Sequence, residues 1–148
     1  MNIGELCTRA VIFVDRNESV RQAAELMRQH HVGDLVVIDA SSAYRAPIGM
    51  LTDRDIAVEV VALGVDPGNV KAADIMSRRL VVARESESQT EVAQRMRDAG
   101  VRRIPVVAAD GTLVGILSMD DLLEAVTDEL SALTRISEKQ RFHEAASR

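Results

Sequence analysis

The chain has 148 residues, of which 47% are hydrophobic, and its 18 basic and 23 acidic side chains give a formal net charge of −5. This is the size and composition of one globular domain. The single cysteine, Cys7, excludes an internal disulfide, and the 3 histidines provide no zinc-finger spacing around it. No apolar run approaches the ~18 residues of a membrane span, and no secretory signal pattern begins the sequence. We therefore expect a cytoplasmic protein that has no membrane partner.

The charged and aromatic residues argue against nucleic-acid binding. The basic residues are almost all arginine and alternate with acidic residues along the chain. Aromatic residues amount to 2% of the sequence, namely Phe13, Tyr44 and Phe142. Neither a basic face nor a set of stacking rings is therefore predicted, and we expect no nucleic-acid partner.

The chain contains an internal repeat. A shift of 69 residues places 31–38 over 100–107 with the same order of polar and apolar positions. The first half then has three extra residues, so that 48–56 matches 114–122 at a shift of 66. A repeat of this kind predicts that both halves fold on one plan.

Each half is predicted to contain a short strand, a helix, two further strands and a second helix. In the first half, helix 19–30 begins at Ser19 as its N-cap, strands follow at 35–38 and 48–51, and Gly64 ends the second helix. The runs of apolar residues without alternation are typical of buried strands.

A turn and a β-hairpin are predicted in the rest of the chain. Pro67-Gly68 predicts a turn between the halves, and Asp110-Gly111 predicts a β-hairpin in the second half. Helical spacing of apolar residues continues beyond residue 126, and the charged last ten or so residues are expected to fray. These patterns divide the chain into a first motif at 1–64, a linker at 65–72, a second motif at 73–126, and a C-terminal helix and tail at 127–148.

The unit Gly-x-x-Thr/Ser-x-x-Asp occurs twice, at 49–55 and at 115–121. In both copies an apolar strand leads into a helix, whose free N–H groups and cap hydroxyl can hold a phosphate. The carboxylate one turn later can accept hydrogen bonds from a ribose diol. One copy alone would favour an ordinary capped helix, whereas two copies in a repeat favour a ligand site.

The repeat and its duplicated unit resemble the CBS domain family, in which such motifs occur in pairs called Bateman modules. The resemblance covers roughly 3–125 and is most specific at 49–56, 100–107 and 115–122. It implies an α/β (α+β) fold of two CBS motifs related by a pseudo-two-fold axis, each a short sheet with two helices. Family members commonly bind AMP, ADP, ATP, NAD or S-adenosylmethionine in two clefts.

The resemblance assigns the predicted ligand-binding residues to two clefts. The first cleft would use Met50, Thr52, Asp55, Leu80, Val81, Val82, Arg102 and Arg103, with Arg54 near the phosphates. The second cleft would use Ile116, Ser118, Asp121, Val11, Ile12, Gly33 and Asp34. Guanidinium groups suit phosphate, whereas Asp34 should repel it, so we expect one tight nucleotide site per chain.

The resulting hypothesis is a non-enzymatic regulatory protein that has no catalytic cofactor. An adenine nucleotide would be its regulatory ligand, and a protein partner of unknown identity would receive the signal. One alternative is a dimerising scaffold with vestigial clefts. Another is a phosphatase of the haloacid-dehalogenase type, in which Asp53 and Asp55 would hold magnesium and attack phosphorus.

A homodimer is expected from the helices that follow the two aspartate units. Residues 55–63 form a helix that is apolar nearly all round, with Ile56, Val60 and Leu63 on one face. Leu130 and Leu133 continue the apolar surface of the second half into the C-terminal helix. On this interpretation Val60 lies at the interface.

Overall fold

The computed structural model describes residues 1–147. The elements of the first half are α1 (Ile3–Leu6), β1 (Phe13–Asp15), α2 (Val20–His30), β2 (Asp34–Ile38), β3 (Pro47–Thr52) and α3 (Asp53–Ile56), which continues as a π-helix over Ala57–Val61. After a 3₁₀ turn at Pro67–Asn69, the second half contains α4 (Ala72–Ile75), β4 (Ala83–Arg84), α5 (Gln89–Ala99), β5 (Arg103–Val107), β6 (Leu113–Ser118) and α6 (Met119–Ala146).

The two halves contain sheets of the same topology. One sheet has the order β1-β2-β3 and the other β4-β5-β6, and in each the first pair is parallel and the second antiparallel. Buried apolar residues of these strands form a separate core under each sheet. The predicted mixed fold of two related motifs is thereby confirmed.

Local signals in the sequence place most elements correctly. Ser19 caps α2 through a hydrogen bond from the Gln22 N–H, at 3.2 Å. Gly64 adopts φ of +68° where the first-half helix ends, a left-handed conformation that favours glycine. Gly111, at φ of +91°, lies in the predicted hairpin between β5 and β6.

The two short helices α1 and α4 each pack on the opposite half. Ile3 is fully buried in the core of the second half, and Ala72 is fully buried in that of the first. Their backbone N–H groups donate to Glu87 and Glu18 carbonyls at 3.1 and 2.8 Å, respectively. The N-terminal segment of each motif therefore completes the other motif, which the sequence did not predict.

The helix after Thr52 differs from the expectation. It begins at Asp53 and widens into the π-helix, where the Ala62 N–H donates to the Ala57 carbonyl at 2.9 Å. Val60 is 1% exposed, so the prediction that it lies at a subunit interface is wrong: its side chain belongs to the interior of its own chain. Val61, at 71% exposed, is on the free surface instead.

The C-terminal helix is longer than expected. Helix α6 runs 28 residues, to Ala146, so that the predicted fraying of the last ten or so residues is not seen over the described part. The helix contains neither glycine nor proline, and Glu, Lys, Gln, Arg and Ala dominate its last turns, all good helix formers. Within residues 1–147 no helix has the length and apolar character to cross a membrane.

Candidate ligand-binding clefts

The two aspartate units form matching structures where a strand enters a helix. In the first, Thr52 Oγ1 accepts the Asp55 N–H at 3.1 Å, and Asp55 Oδ2 accepts the Thr52 N–H at 2.9 Å. In the second, the corresponding distances between Ser118 and Asp121 are 3.1 and 2.8 Å. These reciprocal bonds hold each hydroxyl and carboxylate in place at a helix N-terminus.

The capping bonds leave one carboxylate oxygen and one hydroxyl proton of each aspartate unit available to bind a ligand. Oδ1 of Asp55 and of Asp121 accepts no hydrogen bond from residues 1–147. Each cap hydroxyl accepts one bond and retains its own proton as a donor. Each unit can thus offer a charged acceptor to a diol and a donor to an anion.

A cavity of about 260 Å³ marks the second cleft. It is lined by five of the predicted residues, Ile12, Asp34, Ile116, Ser118 and Asp121, together with Thr8, Ala10, Val32 and Arg103. The repeat could have identified Thr8, because the 69-residue shift places it over Ser77, at the edge of the other cleft. Ala10 and Val32 have small or apolar side chains that carry no chemical signal in the sequence.

Two residues predicted for the second cleft lie elsewhere. Val11 packs in an apolar cluster with Val36, Ile38 and Leu113. Gly33 lies against the start of α3, where an added Cβ would come within 3.0 Å of Asp53 Oδ2. Neither residue lines the cavity.

Arg103 pairs with Asp34 across the pseudo-two-fold axis. Its Nε lies 3.2 Å from Asp34 Oδ2, and the two side chains are 44% and 19% exposed. The expectation that Arg103 and Asp34 face different clefts is not met, because both line this cavity. The shift of 69 makes these positions equivalent, and equivalent residues next to a two-fold axis meet each other.

Burial is the main influence on the pKa of the Asp34 carboxyl group. Loss of solvent raises the pKa of its carboxyl group above the ordinary value, Arg103 opposes this rise, and the neighbouring Asp53 carboxylate adds to it. With Asp121 also in the cavity, two carboxylates face one guanidinium group. The second cleft therefore has a net negative charge when all three groups are ionised.

The predicted residues of the first cleft lie on three segments, two of which are joined by hydrogen bonds. Met50, on β3, exchanges backbone bonds with Ser77 at 2.8 and 3.2 Å, which attaches the segment leading to Leu80, Val81 and Val82. Arg95 donates from Nη1 to the Val82 carbonyl at 2.9 Å and also binds Glu87. Arg54 and Arg102, which are also predicted for this cleft, are exposed.

The Arg95–Glu87 pair holds the segment that is predicted to form one wall of the first cleft. Its two nitrogen–oxygen distances are 2.9 and 2.5 Å, a bidentate arrangement. Chiefly because of this pairing, the pKa of Glu87 falls to about 2.

The geometry does not support the phosphatase alternative. The strand that precedes Asp53 and Asp55 is antiparallel to its neighbour, whereas the expected phosphatase fold requires a parallel sheet. Residues 1–147 contain no group of three His, Cys, Asp or Glu side chains arranged to hold a metal ion.

The CBS domain family model matches residues 3–62 and 72–128. The CBS domain-containing protein YhcV of Bacillus subtilis is 36% identical over 145 residues, which cover 96% of this chain and 99% of that protein. The Uncharacterized protein MK0525 of Methanopyrus kandleri is also 36% identical, over 84% of this chain, but this chain spans only 62% of its length.

A solved structure has the same fold. The CBS domain pair of protein MJ0100, determined in complex with 5′-methylthioadenosine and S-adenosyl-L-methionine, superimposes with a TM-score of 0.73 at 23% identity, over 87% of this chain and 98% of that one. Members of the matched family are typically regulatory rather than catalytic. The two motif matches, the repeat and the paired sheets lead to one conclusion: this chain belongs to the CBS domain family.

Proposed function

We propose that the chain is a regulatory CBS pair that binds adenosine-containing ligands, AMP, ADP or ATP among them, and signals their presence to a protein partner. The observation that carries this proposal is the duplicated aspartate unit, whose second copy lines a cavity. Asp121 keeps one free carboxylate oxygen there, next to the Ser118 hydroxyl. A ribose diol and an adjoining polar group would find complementary partners at these two side chains.

The size of the second cleft suits a small ligand whose entry requires only a small movement of the surrounding side chains. Its volume of about 260 Å³ is slightly below the ~300 Å³ at which small-molecule pockets begin. Arg103 lines this cavity and is 44% exposed, so its side chain has room to move outward when a ligand enters.

The adenosine derivatives bound to the MJ0100 pair support the same ligand class for this fold. S-adenosylmethionine and NAD are therefore included among the candidate ligands. The negative charge of Asp34 and Asp121 favours ligands with few phosphate groups in the second cleft.

The regulatory unit we propose is a homodimer. Val58, Val61 and Leu63 of the first half and Leu123 and Val126 of the second are 43–71% exposed. Exposed apolar groups concentrated on the helices after both aspartate units are typical of a protein interface. Val61→Glu should give a monomer near 16.2 kDa in light scattering, whereas Tyr44→Glu, an exposed position on a distant loop, should leave the dimer intact. A wild-type monomer at micromolar concentration contradicts this assembly.

A thermal-shift panel with AMP, ADP, ATP, NAD and S-adenosylmethionine tests the ligand proposal. A ligand at 100 times its dissociation constant stabilises the folded state by about 2.7 kcal/mol, which raises Tm by roughly 8 °C for a chain of this size. No shift with any of the five, while the dimer persists, would support a scaffold with vestigial clefts instead.

A further inference from the structure

Beyond Ala125, no described residue of α6 is buried in its own chain. Every residue from Val126 to Ser147 is exposed, and the family match ends at residue 128. The helix therefore continues for about five turns beyond the CBS pair. Most of the stability of a helix in a protein comes from the packing of an apolar face, so this extension is expected to have a packing partner.

An apolar seam follows one side of this helix. Leu123, Val126, Leu130 and Leu133 are separated by alternating steps of three and four residues, and they are 43–62% exposed. Such spacing gives the 3.5-residue period of a coiled-coil seam. Ala125, in contrast, is buried against the body. The seam lies about a quarter turn from this buried face, and Val126 at its edge borders a groove beside α5.

Charge is distributed unequally along the same helix. Residues 119–133 carry five acidic and no basic side chains, whereas 134–147 carry three basic and two acidic ones together with His143. Two copies aligned in parallel would place two strongly acidic halves side by side. Antiparallel alignment places each acidic half beside the more basic half of the other copy, which lowers the repulsion.

We propose that α6 pairs with α6 of a second copy of this chain in an antiparallel coiled coil. Leu130 lies opposite Leu133 of the second copy, and Leu123 lies opposite Gln140. In this register Asp120 of one helix flanks Arg141 of the other. The proposal rests on the homodimer proposed above and specifies how its two chains are oriented.

Cysteine cross-linking separates antiparallel from parallel pairing. Leu123 and Gln140 are 17 residues apart, or about 25 Å along the helix, far beyond the ~4.4–6.8 Å between the Cα atoms of a disulfide. In a Cys7→Ser background, Leu123→Cys and Gln140→Cys proteins are mixed, allowed to exchange subunits, and oxidised. Mass spectrometry then identifies which chains are joined.

The expected product is the mixed disulfide between the two variants, with little Leu123→Cys homodimer. A predominant Leu123→Cys homodimer would overturn the antiparallel orientation. Absence of both products, in a sample that light scattering shows to be dimeric, would overturn the α6 pairing while the proposed dimer stands. A monomeric sample would reject the dimer together with the pairing.

Charge reversal gives an independent test in a chain that carries no cysteine substitutions. Arg141→Glu should raise the dimer dissociation constant at least tenfold at low salt, and adding Asp120→Arg should restore most of the loss. Arg28→Glu, an exposed change of the same charge on α2, is the matched control. Equal weakening by Arg28→Glu, or no rescue by Asp120→Arg, would overturn the register.

Discussion

The two clefts share one backbone design but differ in the side chains that close them. Each contains a hydroxyl and an aspartate at a helix start, held by the same pair of hydrogen bonds. In the second cleft, the ion pair of Arg103 with Asp34 lines a cavity. In the first cleft, Arg95 anchors the Val82 carbonyl and is itself held by Glu87.

This difference shows that the repeat sets the positions of the hydroxyl and aspartate units, whereas contacts between the halves determine which charged side chains lie beside them. Arg103 is the first residue of β5 in the second motif, and its partner Asp34 is the first residue of β2 in the first. Arg103 and Asp34 therefore contribute their charges to the same cavity, although they belong to different motifs. Neutralisation of Asp34 by Arg103 weakens the expected contrast between the clefts.

The largest expected effect comes from removing the charge of either aspartate. Asp55→Asn and Asp121→Asn retain an oxygen to accept the capping N–H but lose the charged acceptor for the ligand. A hydrogen bond to a charged group contributes about 1.5–3 kcal/mol, so we expect roughly a tenfold to hundredfold loss of affinity at the altered cleft alone. Titration calorimetry measures the two sites separately.

Asp120→Asn is the matched control for Asp121→Asn. Asp120 is exposed in the same helical turn and does not line the cavity. Its substitution should leave affinity within about twofold of wild type. If Asp120→Asn and Asp121→Asn weaken binding equally, the effect comes from the helix terminus and not from a specific contact.

A smaller effect is expected from Asp34→Asn, which removes one of the two carboxylates of the second cleft and frees Arg103. The released guanidinium can bind a phosphate group, so affinity for ATP at this cleft should rise about tenfold, or ~1.4 kcal/mol. S-adenosylmethionine, which lacks phosphate, should not gain. Calorimetric titration of both ligands checks this, and an equal gain for both would exclude the charge explanation.

The smallest effect concerns the support of the first cleft. Glu87→Gln removes the charge that holds Arg95, and because the Arg95 side chain is 37% exposed, we expect a loss of only about 1 kcal/mol in unfolding free energy at pH 7. Ligand affinity at the first cleft should fall more than at the second.

The unfolding free energy that Glu87 contributes depends on pH. Glu87 has a pKa of about 2 in the folded chain against 4.5 ordinarily, so its stabilisation is complete above pH 4.5 and is lost as the pH falls towards 2. The difference between wild type and Glu87→Gln should narrow over that range in denaturant unfolding. A constant difference would show that the charge of Glu87 is not its cause.

Much of the fold follows from local sequence signals. Ser19, Gly64 and Asp110-Gly111 mark element ends through capping and turn conformations that depend on a few adjacent residues. The exchange of α1 and α4 between the halves depends on contacts between distant residues, such as those of Ile3 with the second core, and has no local signal.

In the candidate site, too, features set by adjacent residues were predictable and features set by long-range contacts were not. Thr52, Asp55, Ser118 and Asp121 were predictable because hydroxyl, spacing and carboxylate all lie within one turn. The burial of Val60 and the partner of Arg103 were not, because both depend on how two sequence-distant surfaces meet.

The most direct test of the account is calorimetric titration of AMP into wild type and into the double variant Asp55→Asn/Asp121→Asn. We predict saturable binding to wild type and at least a hundredfold weaker binding to the double variant, whose melting temperature without ligand stays close to that of wild type. Equal affinity in the two proteins would show that the duplicated aspartate units do not bind the ligand.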